Sequence, residues 1–440
     1  MNTLERAEAG AAAARAFLFL DPSAKDAALS LVAARLRESA AAVFAANAAD
    51  LDAARAAGLA PPLLKRLAYG ESRLAESLAM LASLASLPDP AGRILEARRL
   101  DAGLTLRRVS CPIGLVALVF ESRPDALLQM AALAAKSGNA IIAKGGREAE
   151  RTNRALADII YAAGVEAGLP ASWLGILESR REVAELLELD ALVDLVIPRG
   201  SNEFVRSVMD STRIPVLGHA EGVCHLYVHE DADPAMAAAL AVDSKAQYPA
   251  ACNAAEVLLV HDGIAQRALP AVAEALEAAS VRLDLCPRAS AILGPGPGRA
   301  PKDDGDWSVE YLDLRMAVKV VDSLDGAIAH INRFGSGHTD AIVAASAAAA
   351  RRFSAGVDSA SVFWNASTRF ADGYRYGLGA ELGISTGKIH ARGPVGLEGL
   401  MTSKWILEGS GQLVADYASG AREFEHAELP GERGRRYGDA

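Results

Sequence analysis

Apolar residues recur three and four positions apart through the first hundred residues, then gather into short unbroken runs after residue 112. The first pattern predicts amphipathic helices and the second predicts buried strands. In the helical stretch Leu29, Val32, Leu36 and Val43 keep the helical spacing, Asp21 stands where a cap is wanted, and Pro22 suits the first turn after it. This stretch reads as a packing layer without visible chemistry. From residue 112 each apolar run is followed by an amphipathic helix: "GLVALVFE" by "PDALLQMAALAAKSG", "AIIAKG" by "EAERTNRALADIIYAAG", "WLGILE" by "REVAELLEL", and "LVDLVIPRG" by "SNEFVRSVMD". Four successive βα units predict a parallel sheet covered on both faces, with ligands bound beyond the carboxyl ends of its strands.

A second alternation begins near "VCHLYVHEDADP" and includes "VKVVDSLDGAIAHINRFGSGHTDAIVAA" and "SASVFWNASTRF". It predicts a second α/β domain. The Pro- and Gly-punctuated "GPGPGRAPKDDGD", residues 294–306, reads as a surface loop, and the charged end "AREFEHAELPGERGRRYGDA" as a mobile tail. No internal repeat is visible.

At 440 residues the chain is long enough for two or three domains with proper cores. A formal net charge of −10 argues against a nucleic-acid partner, which calls for a basic footprint. No stretch has the run of apolar residues that a membrane helix needs, and "MNTLERAEAG" lacks the basic start and apolar core of a secretion signal, so a cytoplasmic protein is expected. The four cysteines, at 111, 224, 252 and 286, form no CxxC pair and no zinc spacing, and are expected as free thiols. His330, His338 and Asp340 match no familiar metal-ligand spacing either and read as hydrogen-bonded structural groups, so no metal is expected. Trp364 and Trp405 are too sparse to form a stacking platform.

Neither GxGxxG nor GxxxxGK[ST] is present. What remains is a set of strand-end loops, "FESRPD", "AKGGRE" and "IPRGSN", each placing Gly, Ser or a basic residue at a helix start, where backbone amides favour phosphate. Cys252, in "YPAACNAAEVLLV", sits among Ala250, Ala251, Ala254 and Ala255 just ahead of a strand. Such a site has room for an acyl group on sulfur and has backbone amides for an oxyanion. A small core cysteine at a tight helix-to-strand junction satisfies the spacing equally well.

The chain resembles the aldehyde dehydrogenase superfamily from roughly residue 5 to 415. The resemblance is carried by "PIGLVALVFESRPDA", "KSGNAIIAKGG", "IPRGSN", "CNAAEVLLVH", "AIAHINRFGSGHTDAI", "NASTRFADG" and "STGKIHARGPVGLEGL", with Phe334 standing where the pattern usually has His or Tyr. Within the superfamily it is most similar to the branch that reduces L-glutamyl 5-phosphate to L-glutamate 5-semialdehyde, the second step of proline biosynthesis. The resemblance implies two parallel-sheet α/β domains plus a small β oligomerisation element. An NADPH-binding domain would span 1–103 and 112–218 and a catalytic domain 219–398. The oligomerisation element would pair 104–111 with 399–415, and the tail would be 416–440. Homo-oligomers are implied, with the upstream glutamate kinase as a candidate partner.

By the same resemblance Cys252 is the nucleophile, forming a thioester that hydride discharges. Lys144, Gly200 and Ser201 fall on cofactor positions, and Glu310 on the residue that holds the nicotinamide ribose. Arg147 stands where NAD-using relatives often have an acidic residue, which implies NADPH. The glutamate that activates a deacylating water corresponds to Val216, and the oxyanion-hole asparagine to Ser122. Arg123 and His219 are candidates for the leaving phosphate. Asn365, Ser367, Thr368 and Arg369 are expected near the substrate, Arg369 as a carboxylate clamp. The rival readings are an acylating semialdehyde dehydrogenase that uses coenzyme A or another acyl substrate, and a catalytically silent scaffold.

Overall fold

The computed structural model describes all residues except 219, 220, 304, 379, 381, 382, 439 and 440. It divides into two compact units: Met1–Leu217 with Leu378–Leu382 and Gly396–Ala440, and Gly218–Gly377 with Gly383–Val395.

The first unit opens with α1 (Thr3–Phe17), α2 (Pro22–Glu38), α3 (Ala40–Ala56), α4 (Pro61–Leu67) and α5 (Glu71–Ser86). Asp21 caps α2 by accepting from the Ser23 amide at 2.8 Å, and Leu29, Val32 and Leu36 line its buried face. Val43 belongs to the next helix, because the helix is interrupted at Ser39. Two strands follow, β1 (Ile94–Asp101) and β2 (Leu104–Pro112), and then the four βα units: β3 (Leu115–Phe120), α6 (Pro124–Ser137), β4 (Ala140–Lys144), α7 (Glu150–Glu166), β5 (Leu174–Ile176), α8 (Arg180–Leu187), β6 (Leu195–Arg199) and α9 (Asn202–Asp210). Their parallel sheet runs β5-β4-β3-β6. All six residues of β3 are buried, as a strand covered on both faces requires. Its register sets Val119 against Lys144 and Phe120 against Arg199, so the loops after β3, β4 and β6 leave the sheet side by side.

The second unit contains β7 (Cys224–Val228), α10 (Pro234–Ala246), β8 (Ala255–His261), α11 (Asp262–Ala278), β9 (Arg282–Leu285), α12 (Pro287–Leu293), β10 (Arg299–Pro301), β11 (Arg315–Val321), α13 (Leu324–Phe334), β12 (Thr339–Val343), α14 (Ala347–Gly356) and β13 (Ser361–Trp364), with a short ladder of β14 (Gly383–Ser385) and β15 (Gly393–Val395). Its sheet is parallel in the order β10-β9-β11-β8-β7-β12-β13. The 294–306 stretch, expected as loop, supplies its edge strand β10. Backbone pairing with β9 is available there whatever the side chains are.

The chain then returns to the first unit as β16 (Met401–Glu408), α15 (Val414–Ala418) and β17 (Ala427–Glu428). A small antiparallel sheet forms in the order β16-β2-β1-β17. β2 and β16 pair from Thr105↔Glu408 to Met401↔Pro112. The 416–440 end differs from its expectation as a mobile tail. β17 pairs with β1, Leu429 and Tyr437 pack on Ile94, Ala97 and Val109, and Glu432 bonds the Arg107 guanidinium at 3.0 Å. A few apolar anchors inside a charged stretch suffice, because the edge of β1 supplies the backbone partners. Among the described residues no helix is long and apolar enough to cross a membrane.

Candidate active site

In the second unit, residues 247–254 link the end of α10 to the start of β8 and carry Cys252. Two consecutive turns shape the link: the Ala251 amide donates to the Tyr248 carbonyl (3.2 Å) and the Ala254 amide to the Ala251 carbonyl (2.9 Å). They leave Cys252 half-buried with a free thiol. The backbone of Gly222 lies against this turn so closely that an added Cβ would stand 2.1 Å from the Cys252 carbonyl oxygen and 2.7 Å from its Cα. The Cys224 thiol, fully buried at the start of β7, donates to the same carbonyl at 3.3 Å. Burial pushes that thiol well up, which keeps its proton in place as a donor. On the other side of Cys252, the Asn253 side-chain amide donates to the Ala371 carbonyl at 2.7 Å.

Arg369 faces the same turn. Its Nε donates to Gln247 Oε1 at 2.9 Å, and its guanidinium lies 5.9 Å from the centre of the Tyr248 ring. Burial and the nearby Arg375 hold its pKa below the usual arginine range, while the Cys252 sulfur is close enough to favour its charge. A partly desolvated guanidinium beside a half-buried thiol is suited to an anionic substrate.

The other expected substrate residues make contacts within the protein. Ser367 is buried and shares a hydrogen bond with the Ser244 hydroxyl (3.2 Å), which also accepts from the amide of fully buried Thr368 (3.2 Å). Asn365 sits in the left-handed region (φ 54°) and uses both ends of its amide on Ala344, at 3.0 Å each. Glu310 is half-buried on the link between β10 and β11. His338 Nδ1 lies 2.9 Å from the Thr339 hydroxyl, and Asp340 accepts from the His225 amide at 2.7 Å.

In the first unit the three strand-end loops meet as the register requires. Ser122 takes a left-handed conformation (φ 45°), which aims its amide (2.7 Å) and hydroxyl (2.8 Å) at one oxygen of Glu148. Arg123 occupies the position before α6. Lys144 ends β4, and Arg147 opens the short turn that follows. Burial lowers the Lys144 pKa, as do Arg180 and Arg147, while Glu148 and Glu121 raise it. Ser201 caps α9, its hydroxyl accepting from the Phe204 amide at 3.4 Å. The Ser201 amide donates to Glu121 at 3.1 Å. Gly200 has no room for a side chain: a Cβ would meet Glu121 at 2.5 Å and Phe204 at 2.7 Å. His219 lies outside the described residues.

Thus Ser122, Lys144, Arg147, Gly200 and Ser201 gather at one sheet edge, and Cys252 and Arg369 share one turn. The sequence reading missed Glu121, Glu148 and Arg180 around the first group and Gly222, Gln247 and Asn253 around the second. Gln247 and Asn253 flank the cysteine in sequence, and that proximity was a usable signal. Gly222 gave none.

The sequence profile of the aldehyde dehydrogenase family matches residues 7–295. The chain is 52% identical over 405 residues to the γ-glutamyl phosphate reductase of Pelotomaculum thermopropionicum, covering 92% of each chain. It is 51% identical to that of Acetivibrio thermocellus, over 92% of this chain and 93% of the relative. The crystal structure of γ-glutamyl phosphate reductase from Thermotoga maritima superposes with a TM-score of 0.91 at 37% identity, covering 94% of this chain and all of that one. With its thiol turn, its strand-end loops and these likenesses, the chain belongs to the aldehyde dehydrogenase family, in its γ-glutamyl phosphate reductase branch.

Proposed function

We propose that this chain reduces L-glutamyl 5-phosphate with NADPH to L-glutamate 5-semialdehyde and phosphate, the second step of proline biosynthesis, through a thioester on Cys252. The observation that carries this reading is the half-buried Cys252 thiol in electrostatic reach of Arg369, in a chain about half identical to reductases of that name.

As thiolate, Cys252 attacks the acyl carbon; the new C–S bond forms as the bond to the phosphate oxygen breaks, and phosphate leaves. Arg369 holds a carboxylate of the substrate, and Arg123 and His219 are assigned to the leaving phosphate. Backbone amides of the 247–254 turn receive the oxyanion. The residues present fit a phosphorylated dinucleotide. Ser201 has a helix-start amide, at present donating to Glu121, Gly200 adds no side chain of its own beside it, and Lys144 and Arg147 add positive charge. Arg147 is assigned to the 2′-phosphate, and Glu310 to the nicotinamide ribose. NADPH, when bound, supplies the hydride for the thioester carbon. Collapse of the resulting tetrahedral adduct returns its electrons to sulfur and frees the aldehyde. Val216, in place of an acid–base residue, leaves water without a general base, so the thioester survives until it is reduced. Self-association through the β2–β16 element belongs to the same reading.

The test runs the reaction backwards: NADP⁺ reduction with the semialdehyde and phosphate, on wild type and Cys252→Ser. Loss of activity in the variant is expected. Equal rates would refute the covalent route, and activity with coenzyme A but not with phosphate would refute the substrate assignment.

A further inference from the structure

Beneath the thiol turn, the second unit buries two opposite charges that the mechanism above does not use. Lys245 lies in the last turn of α10 and Glu256 is the second residue of β8; both are wholly buried, with Nζ 2.7 Å from Oε2. Between them run the residues that carry Cys252. The contact therefore closes the thiol turn at its base, joining the last turn of the helix that enters it to the first residues of the strand that leaves it.

Neighbouring groups tie this contact to the rest of the site. Ser244, one residue before Lys245, holds Ser367 and the Thr368 amide, and Gln247, two residues after, holds Arg369. The Tyr311 backbone amide favours the charge on Glu256, and the Glu310 carboxylate opposes it. Cys224 and Asp313 both favour the charge on Lys245. Burial pushes Glu256 up to about 7 against the pull of Lys245, and burial likewise pushes Lys245 down.

A wholly buried ion pair is a weak source of stability, because desolvating two charges offsets most of their attraction, and well-packed apolar residues often do as well or better. Its position suits a different use. We propose that the Lys245–Glu256 pair is a positioning clip: it fixes the ends of the 247–254 turn so that the Cys252 sulfur is held in one place relative to Arg369 and Glu310. Neither residue reaches the reacting atoms; both act through the turn.

The test separates positioning from stability. Glu256→Gln, Lys245→Met and the double variant Lys245→Met/Glu256→Met are compared with wild type in thermal melting, in kcat and KM, and in the rate of Cys252 alkylation by iodoacetamide. Lys245→Met leaves Glu256 without its partner and Glu256→Gln leaves Lys245 facing a neutral amide in place of a carboxylate, and a lowered melting temperature is expected of both. The apolar double variant is expected to melt near wild type yet to lose on the order of tenfold to a hundredfold in kcat, with a smaller change in KM, because a displaced sulfur weakens the reaction more than binding. Its alkylation rate is expected to change as well. A double variant that folds and keeps wild-type kcat and alkylation rate overturns the proposal. Should even the double variant fail to fold, the Glu256→Gln protein decides: wild-type kcat and alkylation rate in that variant also overturn it. The clip is argued within the thioester reading, but alkylation needs no substrate. If wild type does not turn over the semialdehyde, the reaction assignment fails, and the alkylation rates still decide on the clip.

Discussion

Gly222→Ala is the substitution with the most direct structural consequence for the thiol turn. The added methyl would lie 2.1 Å from the Cys252 carbonyl oxygen and 2.7 Å from both its carbonyl carbon and its Cα, whereas ordinary contact begins near 3.4 Å. The two backbones must therefore separate by about 1.3 Å. All three opposing atoms are main-chain, so no side-chain rotation relieves the clash. Gly222 is held by its neighbour Val223, whose amide donates to the Ser336 hydroxyl at 2.9 Å. The Cys252 side is held by Cys224 and by Asn253 on Ala371. Displacing a nucleophile by about 1 Å lowers turnover by roughly a hundredfold, about 2.7 kcal/mol of activation free energy. We expect kcat to fall by that order in the NADP⁺-reducing direction, with Cys252 alkylation altered in parallel and the protein still folded by circular dichroism. A folded Gly222→Ala protein with kcat within about threefold of wild type would show that the segment before β7 gives way instead, and would refute the claim that Gly222 sets the position of the thiol.

Three further outcomes follow from the same geometry. Arg147→Glu is expected to weaken NADPH far more than NADH, read as the ratio of the two kcat/KM values; an unchanged ratio removes Arg147 from the 2′-phosphate site. Glu121→Gln is expected to tighten NADPH, by about two- to fivefold in Kd, because Glu121 now places a carboxylate on the Ser201 amide that the cofactor phosphate would take; titration by fluorescence checks this, and weaker binding would contradict it. Burial raises the Glu256 carboxyl above its ordinary 4.5, to about 7, against the pull of Lys245, so between those values the unfolded chain binds fewer protons and this group's contribution to stability falls as pH rises. Urea unfolding of wild type against Glu256→Gln across that window should show stability falling more steeply with rising pH in the wild type than in the variant, and parallel slopes would contradict this.

The sequence made legible what depends on local pattern. The buried run of β3, the cap at Asp21 and the strand-end loops follow from the spacing of apolar, capping and small residues, each within one element. The parallel register then carried Ser122, Lys144 and Ser201 to one edge without further specification. What stayed hidden was settled by contacts between residues far apart in the chain. Cys252 is held by Cys224, 28 residues before it, and its neighbour Asn253 by Ala371, 118 residues on. The contacts of Thr368 and Asn365 were hidden for the same reason: the Thr368 backbone amide donates to Ser244 on α10 and the Asn365 side chain braces Ala344, and no local pattern specifies either partner. The chain end misled for the opposite reason. Its low apolar content predicts mobility, but Leu429 and Tyr437 meet a surface already built by β1 and β2, so a few anchors are enough. A cysteine in a row of alanines is therefore an incomplete description of this turn. In the proposed reading the alanines leave room for an acyl group, while the turn that carries the sulfur is bounded by a glycine, an amide and a buried Lys245–Glu256 contact, of which only the amide and Glu256 stand within four residues of the cysteine in sequence.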